Sequence, residues 1–436
     1  MNPIAQELND KIQSNSPVFY SFLTPFGKEI HMPKGILKQG AEANAKANKF
    51  NATIGIAKEG KGPMFLPSIK KYFSDDLDPN KIFNYAPPTG IPGLREVWRD
   101  KMLVDNPSIK GKTSISMPVV TSGLTHGIAI VGDLFAGKDD DIIIPDMLWD
   151  NYPLILETRN GSKIRTFQTF NDDLKGFNVK GLDQVITASK KDKVMVLLNF
   201  PNNPSGYTPT LKETDEIVSV LKKHAETKKI ILVSDDSYFG LLFDDNGLPE
   251  TIFARVAGIH KNIAAIKLDG FTKEFYAWGF RVGFITFADY NMNADSYLAL
   301  ETKVAGCIRS VLSNCSLPGQ SILAEALKGE DYKAEKVQKF NIMKERAMKC
   351  REVVYNSKYS SSWDVYPFNS GYFMCVRLKN KVNSDKFRVF LLENYGVGTI
   401  ALGESDLRVA FSCLDVSQVQ EIFDIIHNAF QEFIKK

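Results

Sequence analysis

Lys273 is the residue whose surroundings most strongly suggest chemistry. It lies in segment 269–283, among aromatic and small residues that are unusual around a solvated surface lysine. Burial would lower the pKa of its amine and make the amine a nucleophile. The segment follows an apolar run of strand length, and the carboxyl ends of strands in an open parallel sheet are where ligands bind.

Three further segments also follow apolar runs and carry polar or small residues. Backbone amides and hydroxyls at the helix start predicted in 120–127 could bind an anion. Loop 199–206, with two prolines and a glycine, is rigid and offers asparagine amides. In segment 234–238, Asp235 and Tyr238 can both face a ligand. Taken singly, each segment is better explained as an ordinary turn or, for the acids, as a surface loop.

The elements that must position these segments alternate between strand and helix. Continuous apolar runs separated by helix-compatible stretches predict a parallel sheet covered on both faces. A connecting helix is predicted over 211–229, and an amphipathic helix near 416–434 closes the chain. The predicted strands include 141–145, 193–198, 230–234, 264–268, 370–377 and 406–412.

The predicted fold class is therefore α/β. A large, doubly wound domain at residues 63–335 is expected beside a smaller α/β domain assembled from both termini, residues 1–62 and 336–436. The length of 436 residues agrees with one large domain and a smaller one.

Composition excludes several classes of function. The net charge of +3, from 54 basic and 51 acidic residues, is too small to indicate nucleic-acid binding. No apolar run approaches the ~20 residues that span a bilayer, and no secretory signal is visible, so we expect a cytoplasmic protein without a membrane partner. Five cysteines and five scattered histidines favour reduced thiols and give no support to a metal site.

In this order, the four segments resemble the class I aminotransferases, which are fold type I enzymes that depend on pyridoxal phosphate (PLP). Similar strings occur at 85–95, 148–152 and 407–412, and stretch 51–68 is similar to the branch that contains aspartate and aromatic aminotransferases. The resemblance implies the type I fold, with PLP as cofactor. It also implies transfer of an amino group between an amino acid, of aspartate or aromatic type, and a 2-oxo acid, expected to be 2-oxoglutarate.

The resemblance also implies roles for residues around the cofactor ring. Lys273 would form the Schiff base and move a proton between substrate and cofactor. Asp235 would pair with the pyridine nitrogen, while Tyr238 and Asn203 would hydrogen-bond the phenolic oxygen. Trp149 would stack on the ring, a role that suits its large π-surface.

For the phosphate, the resemblance implies the backbone amides of Gly123, Leu124 and Thr125, with Arg281 as counter-charge. Tyr85 would reach the phosphate of the partner subunit, which implies a homodimer with shared active sites.

One position departs from the family pattern. The family usually places a serine three residues before the lysine, and this chain has Gly270 there. Thr272, or a water, would have to replace the lost hydroxyl contact to the phosphate.

Substrate contacts are implied at Gly55, Trp149, Asn203 and Arg408, of which Arg408 would bind the α-carboxylate. Arg309 falls where the aspartate-aminotransferase branch has an arginine, lent by the other subunit, that binds a distal carboxylate. An arginine on a helix surface that forms an ion pair is an equally good interpretation of Arg309. A β-lyase or decarboxylase on the same fold, or a non-catalytic PLP-binding regulator, remain alternative functions.

Overall fold

Helices and strands alternate along most of the chain in the computed structural model, which describes residues 1–31, 35–60, 62–74 and 77–436. The α-helices are α1 (Pro3–Asn15), α2 (Pro17–Phe22), α3 (Pro25–Glu29), α4 (Ile36–Lys46), α5 (Pro67–Lys70), α6 (Pro92–Asp105), α7 (Leu124–Phe135), α8 (Val179–Ala188), α9 (Leu211–Ala225), α10 (Ile252–Val256), α11 (Phe271–Glu274), α12 (Ala294–Val311), α13 (Leu317–Lys328), α14 (Asp331–Val354), α15 (Ser384–Tyr395) and α16 (Val419–Phe433). A π-helical segment spans Leu154–Arg159.

The strands form one large sheet, one smaller sheet and two short pairs. They are β1 (Phe50–Asn51), β2 (Lys58–Glu59), β3 (Gly62–Pro63), β4 (Val119–Thr121), β5 (Asp141–Pro145), β6 (Lys163–Phe167), β7 (Lys193–Asn199), β8 (Lys229–Asp235), β9 (Ile263–Gly270), β10 (Gly283–Ala288), β11 (Trp363–Val365), β12 (Phe373–Leu378), β13 (Val397–Gly398), β14 (Ile400–Leu402) and β15 (Asp406–Ala410).

The large sheet has seven strands in the order β4-β10-β9-β8-β7-β5-β6. Only β10 runs against its neighbours, so the sheet is mostly parallel. In the register of the central strands, Asn199 of β7 lies beside Asp235 of β8, which lies beside Leu268 of β9. The carboxyl ends of these three strands therefore meet at one edge. The α/β class predicted from the sequence is confirmed.

Alternate residues of each central strand pack into two different apolar cores, as expected for a sheet covered on both faces. Ile142 and Ile144 of β5 share one core with α7, whereas Ile143 between them belongs to the other core, with α8, α9 and α10. This alternation confirms the doubly wound arrangement.

The smaller sheet is antiparallel, in the order β11-β12-β15-β14. Arg408 lies in β15, opposite Cys375 of β12 and Ile400 of β14. The N-terminal part of the chain joins this region, since β1 pairs in parallel with β13 and α4 contacts β13, β14 and α15. Farther upstream, α1, α2 and α3 pack together, and α3 contacts the π-helical segment.

Across the described ranges, no helix is both long enough and apolar enough to cross a membrane. The same residues contain no group of three or more His, Cys, Asp or Glu side chains that could hold a metal ion. All five cysteines are free thiols.

Candidate active site

A cavity of about 430 Å³ lies where β7, β8 and β9 end, facing β12 and β15 of the smaller sheet. It brings together most of the residues predicted from the sequence: Gly55, Leu124, Thr125, Trp149, Asn203, Asp235, Tyr238, Thr272, Lys273, Arg281 and Arg408. Segments more than 350 positions apart thus meet around one space, at the edge where open parallel sheets bind ligands.

Lys273 stands in α11, the short helix that follows β9. Its side chain is half-buried, and its Nζ lies 4.9 Å from the centre of the Tyr238 ring. Burial lowers the pKa of the Lys273 amine to about 8, and the charge of Arg281 acts in the same direction, while Asp235 opposes both. Near neutral pH, the amine therefore exists in its neutral, nucleophilic form far more often than an ordinary lysine does.

Asp235 ends β8 with its carboxylate buried and fully engaged. Oδ2 accepts a hydrogen bond of 2.5 Å from the Tyr152 hydroxyl. Oδ1 accepts hydrogen bonds from the Ser237 amide, at 3.0 Å, and from the Ser237 hydroxyl, at 2.5 Å. These three hydrogen bonds fix the position of the carboxylate at the strand end.

Arg408 is a buried cation, with only 1% of its surface exposed. Its Nη1 donates to Asn203 Oδ1 at 3.0 Å, its Nη2 donates to the Thr53 carbonyl at 2.9 Å, and its guanidinium carbon lies 4.1 Å from the centre of the Phe373 ring. Its Nε has no hydrogen-bond partner, and no carboxylate of the described residues pairs with it. A buried, unpaired guanidinium at a cavity wall is suited to bind an incoming carboxylate.

Arg281 lies against the backbone at the start of α7. A Cβ at Gly123, where φ is 79°, would come within 2.2 Å of Arg281 Nη2, so only glycine leaves room for the guanidinium there. The amides of Leu124 and Thr125 begin α7 and have no partner within the helix. Helix-start amides beside a guanidinium form a site for a phosphate-like anion.

The departure at Gly270 has a packing reason. A Cβ at this position would lie 2.7 Å from Gly283 Cα and 2.7 Å from the Val282 carbonyl oxygen, so the serine usual in the family would require the backbone to move. Thr272, two residues later, lines the cavity and carries a hydroxyl.

Four predicted site residues are not among those that line the cavity of this chain. Gly123 and Gly270 lie beside it, against Arg281 and Gly283. The other two are Tyr85 and Arg309. Tyr85 is 88% exposed. Arg309 lies in the last turn of α12, where its Nη1 donates to Ser313 Oγ at 2.5 Å. Both were expected to act on the partner subunit's site, so their roles stay predictions.

Several residues of the site had not been singled out from the sequence. Asn199 accepts a hydrogen bond from the Asn203 amide at 2.7 Å and donates to the Asp235 carbonyl at 2.8 Å, which ties loop 199–206 to β8. Asn199, Tyr152, Ser237, Thr53, Trp278 and Phe373 all lie within segments singled out in the sequence, but nothing local distinguishes them from their neighbours there. Ile36 lies outside every such segment, and no local signal marks it.

Comparison with known proteins agrees with this geometry. The family model "Aminotransferase class I and II" matches residues 47–426. The chain is 22% identical over 385 residues to a mitochondrial aspartate aminotransferase of Schizosaccharomyces pombe, covering 85% of each chain. It is 26% identical over 218 residues to an aromatic-amino-acid aminotransferase of Thermococcus litoralis, covering 50% of this chain and 52% of that one. An aminotransferase structure from Anaerococcus prevotii superposes with a TM-score of 0.81 at 25% identity, covering 92% of this chain and 97% of that one.

The chain belongs to the class I and II aminotransferase family. It is an enzyme that depends on PLP and transfers amino groups. The side chains present fit that cofactor: an amine with a lowered pKa, a hydrogen-bonded carboxylate, and a guanidinium beside helix-start amides surround one cavity.

Proposed function

We propose that this enzyme moves an amino group between an amino acid and a 2-oxo acid at the cavity that contains Lys273, with glutamate and 2-oxoglutarate as one substrate pair. The observation that carries the proposal is that the Lys273 amine and the unpaired Arg408 guanidinium open into the same space. An amino acid held by its α-carboxylate at Arg408 would present its α-carbon toward the lysine.

Lys273 would hold the cofactor covalently and, when released by a substrate amine, would be free to move a proton. Its neutral amine would accept a proton from the substrate α-carbon and could donate it again. A pKa of about 8 supports this role, since the same group must both accept and release a proton near neutral pH.

Bound PLP acts as an electron sink for the charge that develops at the substrate α-carbon. Asp235, held by Tyr152 and Ser237, would pair with the pyridine nitrogen and keep it protonated. Tyr238 and Asn203 would hydrogen-bond the phenolic oxygen. Trp149, a partly buried aromatic residue of the cavity wall, would stack on the ring.

The cofactor phosphate would bind at the start of α7. The amides of Gly123, Leu124 and Thr125 would donate to it, and Arg281 would neutralise its charge. Thr272 would supply the hydroxyl that Gly270 lacks. The small residues that let Arg281 approach the α7 backbone support this assignment.

The substrate would lie in the same cavity, between Lys273 and Arg408. Arg408 grips the α-carboxylate with two parallel hydrogen bonds, helped by Asn203, which already accepts from its Nη1. Gly55 lines the cavity, and a Cβ at this position would lie 3.7 Å from Phe373 Cζ. A larger residue at Gly55 would narrow the space for the substrate.

We further propose a homodimer in which Arg309 binds the distal carboxylate in the partner's cavity and Tyr85 reaches the partner's phosphate. Support comes from exposed aromatic side chains in the segment that precedes Tyr85 in the sequence, among them Phe73 and Phe83, which are 67% and 83% exposed. Arg309 has no carboxylate partner among the described residues, and its side chain donates a hydrogen bond to Ser313 Oγ. Its guanidinium can therefore pair with a carboxylate from outside the chain.

We also propose that the chain has two domains, a large one at residues 63–335 and a smaller one formed by residues 1–62 and 336–436. The pairing of β1 with β13 and the contacts of α4 support it. The contact between α3 and the π-helical segment ties the first helices to the large sheet instead.

A cytoplasmic location is proposed because all five cysteines are free thiols, as is usual in reducing compartments. Fractionation of cells that express the tagged protein tests it. Recovery with a mitochondrial marker would contradict the proposal, and the related aspartate aminotransferases include both mitochondrial and cytoplasmic proteins.

The testing experiment supplies the holoenzyme with one amino acid at a time, without a 2-oxo acid. Transamination predicts conversion of the bound cofactor to its amino form, without release of ammonia, pyruvate or carbon dioxide. Release of any of these three would instead indicate a lyase or a decarboxylase. Glutamate should react. In Arg309→Leu, the reaction with glutamate should lose several kcal/mol of apparent binding free energy, because a desolvated charge is left unpaired. The reaction with aromatic donors should lose far less. Equal losses for glutamate and phenylalanine would remove Arg309 from the site.

A further inference from the structure

Glu274, the neighbour of Lys273, is a buried carboxylate that the proposed chemistry does not use. Its Oε1 lies 2.6 Å from Lys101 Nζ and 2.6 Å from Lys336 Nζ, and 6% of its side chain is exposed. Burial alone would raise the pKa of this carboxyl, but the two ammonium groups outweigh burial and hold it at about 2. Glu274 is therefore an ionised bridge between two lysines.

The bridge anchors the turn that carries Lys273. Helix α11 has only four residues, too few to be stable by itself, so its position depends on tertiary contacts. Phe271 of α11 and Phe275, which follows it, pack against Trp98, but apolar packing is not directional. Glu274 adds charged hydrogen bonds, which fix direction as well as distance.

Lys101 and Lys336 come from different helices, α6 and α14. Helix α14 is 24 residues long and packs on α5, on α16 and on the turn at Phe411–Cys413 that follows β15. Farther along α14, Lys339 pairs with Glu59 at 2.7 Å. Arg346 donates to the Ser412 carbonyl at 2.7 Å.

Of the basic residues of α14, Lys336, Lys339 and Arg346 lie within about 80° of one another around the helix axis, at about 100° per residue. Their common face therefore contacts the Lys273 turn at one end and, at the other, Ser412, which follows β15 and lies four residues after Arg408. One rigid helix thus spans the elements that carry the amine and the guanidinium.

We propose that Glu274 is a positioning residue, which ties the Lys273 turn to α14 through Lys336 and so sets the separation between the Lys273 amine and the Arg408 guanidinium. The inference rests on the proposed function, in which both groups must meet one substrate. A misplacement of about 1 Å in such an arrangement can cost about 100-fold in rate. A buried ion pair is often no more stabilising than an apolar replacement, so stability alone does not account for the bridge.

The test is Glu274→Gln in the holoenzyme, with glutamate as donor. We expect kcat to fall by at least about 10-fold while KM changes by less than about threefold, because the contacts of Arg408 are unchanged. We also expect the midpoint of the pH titration of cofactor absorbance to fall by about half a unit, because two uncompensated ammonium groups then lie near the lysine.

Lys336 provides the second arm of the test. Lys336→Met should lower kcat in the same way but to a smaller extent, since Lys101 still pairs with Glu274. It should move the absorbance midpoint upward instead of downward, because it removes a positive charge near the lysine. Lys336→Arg should give values close to those of the wild type. In the double variant of Glu274→Gln and Lys336→Met, the losses in kcat should not add, because both substitutions remove the same contact between Glu274 and Lys336.

Glu301→Gln is the matched control. Glu301 pairs with Arg95 at 2.7 Å, and their side chains are 8% and 13% exposed, similar to the 6% and 15% of Glu274 and Lys101. We expect Glu301→Gln to lower the melting temperature without moving the absorbance midpoint or kcat.

A Glu274→Gln enzyme that loses only melting temperature, as the control does, would overturn the proposal and make the bridge a packing contact. If Glu274→Gln does not fold, Lys336→Met decides by the same readouts. Failure of the proposed function itself would show separately, as a wild-type enzyme whose cofactor is not attached to Lys273.

Discussion

The Tyr152 hydroxyl donates a hydrogen bond of 2.5 Å to the carboxylate of Asp235. Burial, reinforced by the charge of Asp235, raises the pKa of Tyr152 well above its usual value, so the hydroxyl keeps its proton and remains a donor. The two residues are 83 positions apart, and their contact fixes the carboxylate at the end of the central strand.

Tyr152→Phe should therefore remove the hydrogen bond to Asp235 while the aromatic ring still fills its place in the core. We expect kcat to fall by about 10-fold, equivalent to about 1.4 kcal/mol, with little change in melting temperature. Stopped-flow measurement of the reaction with glutamate alone checks this. A variant as fast as the wild type would show that Ser237 is sufficient to hold the carboxylate.

Arg408→Lys should raise KM for every amino donor and every 2-oxo acceptor. Lysine cannot form the two parallel hydrogen bonds that a guanidinium makes with a carboxylate, and the expected loss is about 2 kcal/mol. Arg377→Lys, at a partly exposed arginine outside this cavity, is the control and should leave KM unchanged. An effect of Arg408→Lys on one side-chain class alone would make Arg408 a specificity residue.

Gly270→Ser restores the family's usual residue, yet it should destabilise this chain. The new Cβ would meet Gly283 Cα and the Val282 carbonyl at 2.7 Å, so we expect a loss of about 1–3 kcal/mol in unfolding free energy. Gly279→Ser is the matched control, since a Cβ there has nothing within 4 Å. Denaturant unfolding of both variants measures the difference. A Gly270→Ser protein with unchanged stability and tighter PLP binding would contradict the packing argument.

The lowered pKa of Lys273 predicts a pH-dependent stability of the apoenzyme. Below pH 8 the folded chain must protonate a half-buried amine, and this cost disappears as the pH rises from about 8 toward the unfolded value of 10.5. Lys273→Met removes the cost, so its stability advantage over the wild type should shrink by on the order of 1–2 kcal/mol between pH 7 and pH 9.5. Urea unfolding at both pH values measures the change. A constant advantage would mean that the amine titrates normally.

Much of the architecture could be predicted from the sequence because the strands of the large sheet are continuous apolar runs. Helix α9 ends at Ala225, four residues before the predicted limit, because β8 already begins at Lys229. Helix α16 begins at Val419, after a short turn at Val416–Gln418 that the amphipathic pattern does not reveal.

The part of the site built from local strings could also be predicted, since Asp235, Lys273 and their neighbours follow strand ends. Contacts that only the tertiary fold creates could not. The Thr53 carbonyl meets Arg408 across 355 positions, and Glu274 meets Lys336 through the placement of α14. Neither pair has a sequence pattern that would predict it.

The most direct measurement is borohydride reduction of the holoenzyme, followed by peptide mapping. We predict an absorbance band near the visible edge that reduction removes, with the reduced cofactor recovered on the peptide that contains Lys273. Recovery on another lysine, or a Lys273→Ala enzyme that turns over at the wild-type rate, would contradict the assignment.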